Sequence, residues 1–252
     1  MYILILFSFS DCIVCNRNFL ITPYQIYGRA KGYPELFYCE GSTISLKGST
    51  TRKIAFERTS KQHVRISQNT VKDSVLVEKM LMNKQNFKSA KDVDGFVPQA
   101  SGLYCIRIKN VHLLPEPFGT ILLERGHDIL YIGIASENLY NRFLNQELRA
   151  KGHGTFFRSM GAVLGYKPPK GSLIEKRNKK NYKFSKTDEL KIIGWINENL
   201  MVNWVESAGD LDSLETSLIV KYLPLLNLSK NPAALQILSY LRKECVEIAN
   251  RN

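Results

Sequence analysis

The stretch from Gly102 to Phe143, GLYCIRIKNVHLLPEPFGTILLERGHDILYIGIASENLYNRF, decides the reading of the fold. Its opening GLYCIRIK alternates Leu103, Cys105 and a run of isoleucines as a half-buried strand does, and DILYIGIA is a short apolar run suited to a more central strand. Each run carries a tyrosine close to a glycine, Tyr104 after Gly102 and Tyr131 before Gly133. The tyrosines stand 27 positions apart, and the two prolines between them indicate an excursion in place of a tight hairpin. A helix is expected from about Ser136 to Ala150, with Leu139, Phe143 and Leu144 on its apolar face and the glycines of KGHGTFF ending it. Arg142 then falls on the flank of that face, half sunk.

Working outward, a basic run from Lys167 to Lys186 leads into SKTD, a capping-box start for the helix DELKIIGWINENL. MVNWVES reads as a third strand, and Asp210 can cap the helix holding Glu215. PLLNLSKNP precedes a last amphipathic helix from Pro232 to about Ile248. Residues 1–99 differ in pattern. Short β-type runs broken by Gly, Ser and Pro, then a helix around TVKDSVLVEKMLM, describe a β-rich basic accessory domain with a boundary near residue 99. Residues 100–252 form the second domain.

The chain has 35 Lys and Arg against 23 Asp and Glu, a net charge of +12. The excess lies in the first three quarters, while residues 187–252 are net acidic. A polyanion such as nucleic acid is the natural partner, because basic side chains at phosphates release condensed counterions. The five cysteines show no recurring ligand spacing, which points to reduced thiols in a cytoplasmic protein. The opening MYILILFSFSDCIVC lacks a basic leader region and is too short to span a bilayer, so it reads as a buried strand and no membrane partner is expected.

Cleaving a phosphodiester needs an activated water, a cation over the phosphoryl oxygens and charge compensation for the leaving oxygen. Tyr104 and Tyr131 can hold or deprotonate water, Arg142 can grip phosphate bidentately, and Glu215 can bind a hard divalent cation. Singly, each has a plainer role: strand tyrosines sit in cores, flanking arginines snorkel, and helix-start glutamates favour the macrodipole.

The joint order resembles the GIY-YIG nuclease superfamily over roughly residues 100–230. It comprises GLY, YIG, an Arg eleven positions after the second tyrosine, a Glu after the third strand, and an Asn twelve positions beyond that Glu. The resemblance implies an α+β fold with a small central antiparallel sheet flanked by helices. It implies a DNA endonuclease in which Tyr104 is general base to the attacking water and Tyr131 positions water or phosphate. Arg142 would neutralise the scissile phosphate, Glu215 would hold Mg2+ or Mn2+, and Asn227 would orient the site. Gly102 and Gly133 would permit close backbone approach. Three departures stand out: the longer spacing between triplets, Gln146 where the family often has His or Tyr one turn after the arginine, and no lysine soon after YIG. His153, between glycines, reads as a solvent-exposed loop residue.

Lys176, Arg177, Lys179 and Lys180, interleaved with Tyr182 and Phe184, suit phosphate tracking with occasional base stacking. Arg149, Lys151 and Arg158 form a second basic group beside the site. The N-terminal GRAKGYPELFYCEGSTISLKGSTTRK, through its LKGS turn, is similar to a small domain that often accompanies these nucleases. A non-catalytic nucleic-acid-binding module of the same fold is the alternative function, RNA the alternative substrate, and a homodimer one route to cutting both strands.

Overall fold

The computed structural model describes the backbone of residues 10–11 and 18–19 and all of residues 73–252. The chain divides into two compact units, Met1–Thr59 and Ser60–Asn252. In the first, strand β1 (Ser10–Asp11) pairs antiparallel with β2 (Asn18–Phe19). The LKGS turn and most of the accessory-domain reading lie outside the described residues.

The second unit is built on a four-stranded sheet in the order β3-β6-β4-β5. Its strands are β3 (Lys88–Ser89), β4 (Gly102–Ile108), β5 (Ile129–Ala135) and β6 (Leu200–Glu206), all antiparallel to their neighbours. This is the small antiparallel sheet expected of the α+β class. The three long strands fall on GLYCIRI, ILYIGIA and LMVNWVE. β3 and the helix α1 (73–82) belong to the same unit, although they precede residue 99.

Alternation along β4 sends side chains to two cores. Tyr104, Ile106 and Ile108 enter one with buried residues of α2 (Phe118–Glu124), α3 (Thr155–Val163), α4 (Lys186–Asn199) and α6 (Gln236–Asn250). Leu103 and Cys105 enter the other, with Leu81 of α1 and Leu218 and Ile219 of α5 (Leu211–Tyr222). The sheet is therefore covered on both faces.

Two expectations are corrected. The strand expected to be central, β5, lies at the sheet edge, and β4 has a neighbour on each side. β5 is still apolar on both faces because helices cover both, and its open edge is closed by the segment after α5. There the amides of Leu225 and Leu226 donate to the carbonyls of Ile129 and Leu130 at 3.2 and 2.8 Å. The last helix begins at Gln236, four residues beyond Pro232. The excursion between the tyrosines is a short turn at Val111–Leu113 followed by α2, after which β5 pairs directly with β4.

Candidate active site

In the β4–β5 register Tyr104 lies opposite Gly133, so Tyr131, two residues earlier, shares its face. The two rings stack with centroids 6.2 Å apart, and Phe143 stacks on Tyr104 at 4.7 Å. A Cβ at Gly133 would lie 2.5 Å from the Tyr104 hydroxyl, and one at Gly102 would lie 2.2 Å from the Val205 carbonyl oxygen. Both glycines therefore provide space where Tyr104 and β6 approach. Tyr104, Tyr131, Arg142 and Glu215 line one cleft of about 520 Å3, together with Asn138, Asn141 and Gln146.

The helix carrying Arg142 is not the α-helix expected. After Leu139, residues Tyr140–Leu148 form a π-helix. Its first amides are tied to the preceding segment, Leu139 to the Ala100 carbonyl at 2.8 Å and Tyr140 to that of Pro98 at 3.0 Å. At its end the Arg149 amide reaches back five residues to Leu144 at 3.0 Å. In an α-helix, residues five apart diverge by about 140°; in this winding Arg142 and Glu147 meet. Arg142 Nη1 lies 2.5 Å from Glu147 Oε1, and 3.3 Å from Gln146 Oε1. Glu147 is fully buried, accepts from the Phe157 amide at 3.2 Å through Oε2, and faces the Tyr104 hydroxyl at 3.4 Å through Oε1. A Cβ at Gly154 would sit 2.0 Å from Oε2, so glycine there makes room for the carboxylate.

Burial raises the pKa of Tyr104 well above the ordinary phenol value, and the negative charge of Glu147 adds to that more than Arg142 relieves it. Tyr131 is raised by the same causes. Both phenols are therefore protonated at neutral pH. Burial also raises the Glu147 carboxyl, against the lowering influence of Arg142, the Phe157 amide and Arg158.

Glu215 is mostly buried in α5, and Lys230 Nζ rests 2.8 Å from its Oε2 while holding Asp212 at 2.5 Å. No group of three His, Cys, Asp or Glu that could hold a metal gathers among the described residues. The described residues therefore form no closed protein cage. One hard carboxylate that already seats a cation at the wall of a cleft fits Mg2+ or Mn2+, which keep water and take substrate phosphate oxygens as further ligands.

Asn227 does not line the cleft. Its Oδ1 accepts from the Ile132 amide at 3.0 Å and its Nδ2 donates to the Ile132 carbonyl at 2.8 Å, taking the place of a further strand beside the Tyr131-bearing β5. It positions β5 and touches no substrate space. Asn227→Ala is expected to destabilise the protein by about 3 kcal/mol, since it leaves a buried donor and acceptor unmade. Urea denaturation checks this; an unchanged midpoint would refute the brace.

The basic residues separate into two kinds. Lys151, Lys176, Arg177, Lys179 and Lys180 are exposed, with Lys179 Nζ turned to the Leu173 and Ile174 carbonyls. Arg149 instead grips Asp94, the Ala90 carbonyl and Asn197, and Arg158 is buried with Nη1 on the His153 carbonyl. Neither offers an open guanidinium. Tyr182 and Phe184 are core residues, so the base-stacking expectation for them is corrected: the basic loop folds its aromatics inward. His153 is likewise buried, not solvent-exposed. It packs edge-on to Phe157 at 4.9 Å and accepts from the Phe184 amide at 3.3 Å, and burial pushes its pKa down to about 4 against the pull of Glu189.

Glu147, Gly154 and Lys230 escaped the sequence reading. The π-winding hides the first, the glycine matters only through that carboxylate, and the lysine reaches Glu215 from a loop fifteen residues away. Among the described residues no helix is long and apolar enough to cross a membrane. A model of the GIY-YIG catalytic domain matches residues 102–244, more than half of the chain. No curated protein and no solved structure gives a significant match.

Proposed function

The chain belongs to the GIY-YIG catalytic-domain family, a nuclease family acting on nucleic acid, and from that premise we propose that it is a metal-dependent endonuclease hydrolysing phosphodiester bonds of DNA. The observation that carries this reading is the convergence of Tyr104, Tyr131, Arg142 and Glu215, from four different elements, on one cleft. A binding module needs basic side chains but has no use for a carboxylate beside the phosphate.

Tyr104 and Tyr131 orient the attacking water from the floor of the cleft. Arg142, about a third exposed, keeps part of its guanidinium for the scissile phosphate while Glu147 holds it from behind. Glu215 would hold Mg2+ or Mn2+, which would supply charge compensation to the phosphoryl and leaving oxygens. Asn227 keeps β5, and so Tyr131, in register. Lys151, Lys176, Arg177, Lys179 and Lys180 contact the backbone of the duplex, giving affinity that falls with salt.

The test is breakage of supercoiled plasmid and of a matched RNA with Mg2+, Mn2+ or EDTA. Nicking of DNA with either metal and none in EDTA is the expected result. Binding that survives in EDTA, with no strand broken in either metal, would overturn the nuclease reading in favour of a binding module. Cleavage of RNA alone would correct the substrate.

A further inference from the structure

Glu147 stands at the end of a polar path that starts in the cleft. A carboxylate with no exposure is costly unless its oxygens are engaged, and three elements are arranged to engage it. The π-helix brings Arg142 to 2.5 Å, the start of α3 supplies the Phe157 amide at 3.2 Å, and the glycine at 154 removes the Cβ that would collide with Oε2. An ion pair anchoring Arg142 would account for the first two contacts.

The third contact points further. Tyr104 is fully buried yet lines the cleft, and among the described residues its one hydrogen-bond partner is Glu147 Oε1 at 3.4 Å. The phenolic proton is thereby aimed at the carboxylate, and the lone pairs of Oη are left to accept from a water entering from the cleft. A neutral phenol can accept a proton from that water only by passing on its own, and Glu147 is the group placed to take it.

We propose that Glu147 is the final proton acceptor for the attacking water, reached through the Tyr104 hydroxyl. This rests on the hydrolysis proposed above. One proton leaves the water for Tyr104 Oη as the phenolic proton moves to Glu147 Oε1. The water oxygen forms its bond to phosphorus, and the bond from phosphorus to the leaving ester oxygen breaks. That oxygen keeps the electron pair and takes a proton from solvent, and Glu147 later returns its proton to solvent through Tyr104. One water is consumed and nothing is oxidised or reduced.

The charged and titratable groups facing this path are Arg142 on the same helix, Tyr104 from β4, Tyr131 from β5 and Arg158 from α3. Glu215 of α5 and Arg242 of α6 act on the tyrosines. Burial already makes Glu147 more basic than a surface carboxylate. A phosphate drawing on Arg142 weakens the grip that opposes this, so proton affinity rises as substrate arrives.

The experiment is the pH dependence of kcat and of DNA affinity for the full chain and for Glu147→Gln, Glu147→Asp, Tyr104→Phe and the Tyr104→Phe/Glu147→Gln pair. The acid limb of the wild-type kcat profile is expected to vanish in both Glu147→Gln and Tyr104→Phe. Each should lower kcat 100-fold or more, with Kd unchanged in Tyr104→Phe, the double variant should be no slower than the worse single one, and Glu147→Asp should restore part of the rate with the limb. An acid limb that persists in Glu147→Gln or Tyr104→Phe, or losses that multiply in the pair, would overturn the relay and leave the nuclease intact. A wild-type protein that cuts neither DNA nor RNA would overturn both.

Discussion

Replacing Glu215 by Gln is expected to lower metal-dependent DNA cleavage about 10^4-fold while leaving the fold and DNA binding intact. In the proposed reaction the carboxylate at the wall of the cleft would hold the divalent cation, and an amide of the same shape would lose the charge that does so. Local packing should tolerate the change. Gln keeps an oxygen for Lys230, and Lys230 retains its 2.5 Å contact to Asp212. Single-turnover nicking in Mg2+ with a gel-shift control reads both properties. A loss smaller than tenfold would show that Glu215 does not carry the cation.

Tyr104→Phe is the second large effect, a fall of about 10^3-fold in kcat. The ring is retained, with its stacking on Phe143 at 4.7 Å and the space above Gly133, so the core is not opened. Only the hydroxyl is lost, and its one hydrogen bond among the described residues, to Glu147 at 3.4 Å, is long. Stability should therefore change by about 1 kcal/mol or less. Arg142 continues to pair with Glu147, so phosphate binding is preserved. Cleavage as fast as wild type in a protein with an unchanged Tm would remove Tyr104 from the chemistry.

The chemistry assigned to Tyr104 differs in one respect from the plain expectation of a general base. A phenol that loses its proton outright to act as base would need Arg142 and a bound cation to ease that proton away. The structure has Arg142 turned to Glu147, and the net influence of burial and of that carboxylate holds the proton on Tyr104. The phenol is placed to conduct a proton more readily than to lose one outright.

Much of the fold was legible locally. Alternation with a period of two marked GLYCIRI and LMVNWVE as strands, and parity alone requires Tyr104 and Tyr131 to share a face once Tyr104 pairs with Gly133. The Ser185 and Asp210 caps are where they were expected, each accepting from the amide three residues on. Asn227 was legible as a residue but not as a brace. Its role depends on β5 lying at the edge, and an apolar strand covered on both faces carries no mark of edge or centre in its own composition.

Short-range periodicity and the order of a few residue types were enough to specify the three long strands, the capped helices α4 and α5, and the family. These follow from backbone geometry, which repeats every two or 3.6 residues and leaves its period in the sequence. Tertiary structure alone decided the rest. It wound Tyr140–Leu148 as a π-helix, bringing Glu147 beneath Arg142 and Tyr104, buried His153, Arg158, Tyr182 and Phe184, and gave Glu215 its partner in Lys230. Each of these depends on contacts between elements distant in the chain, and whether a charged or aromatic side chain ends in solvent or in the core is set by what packs over it.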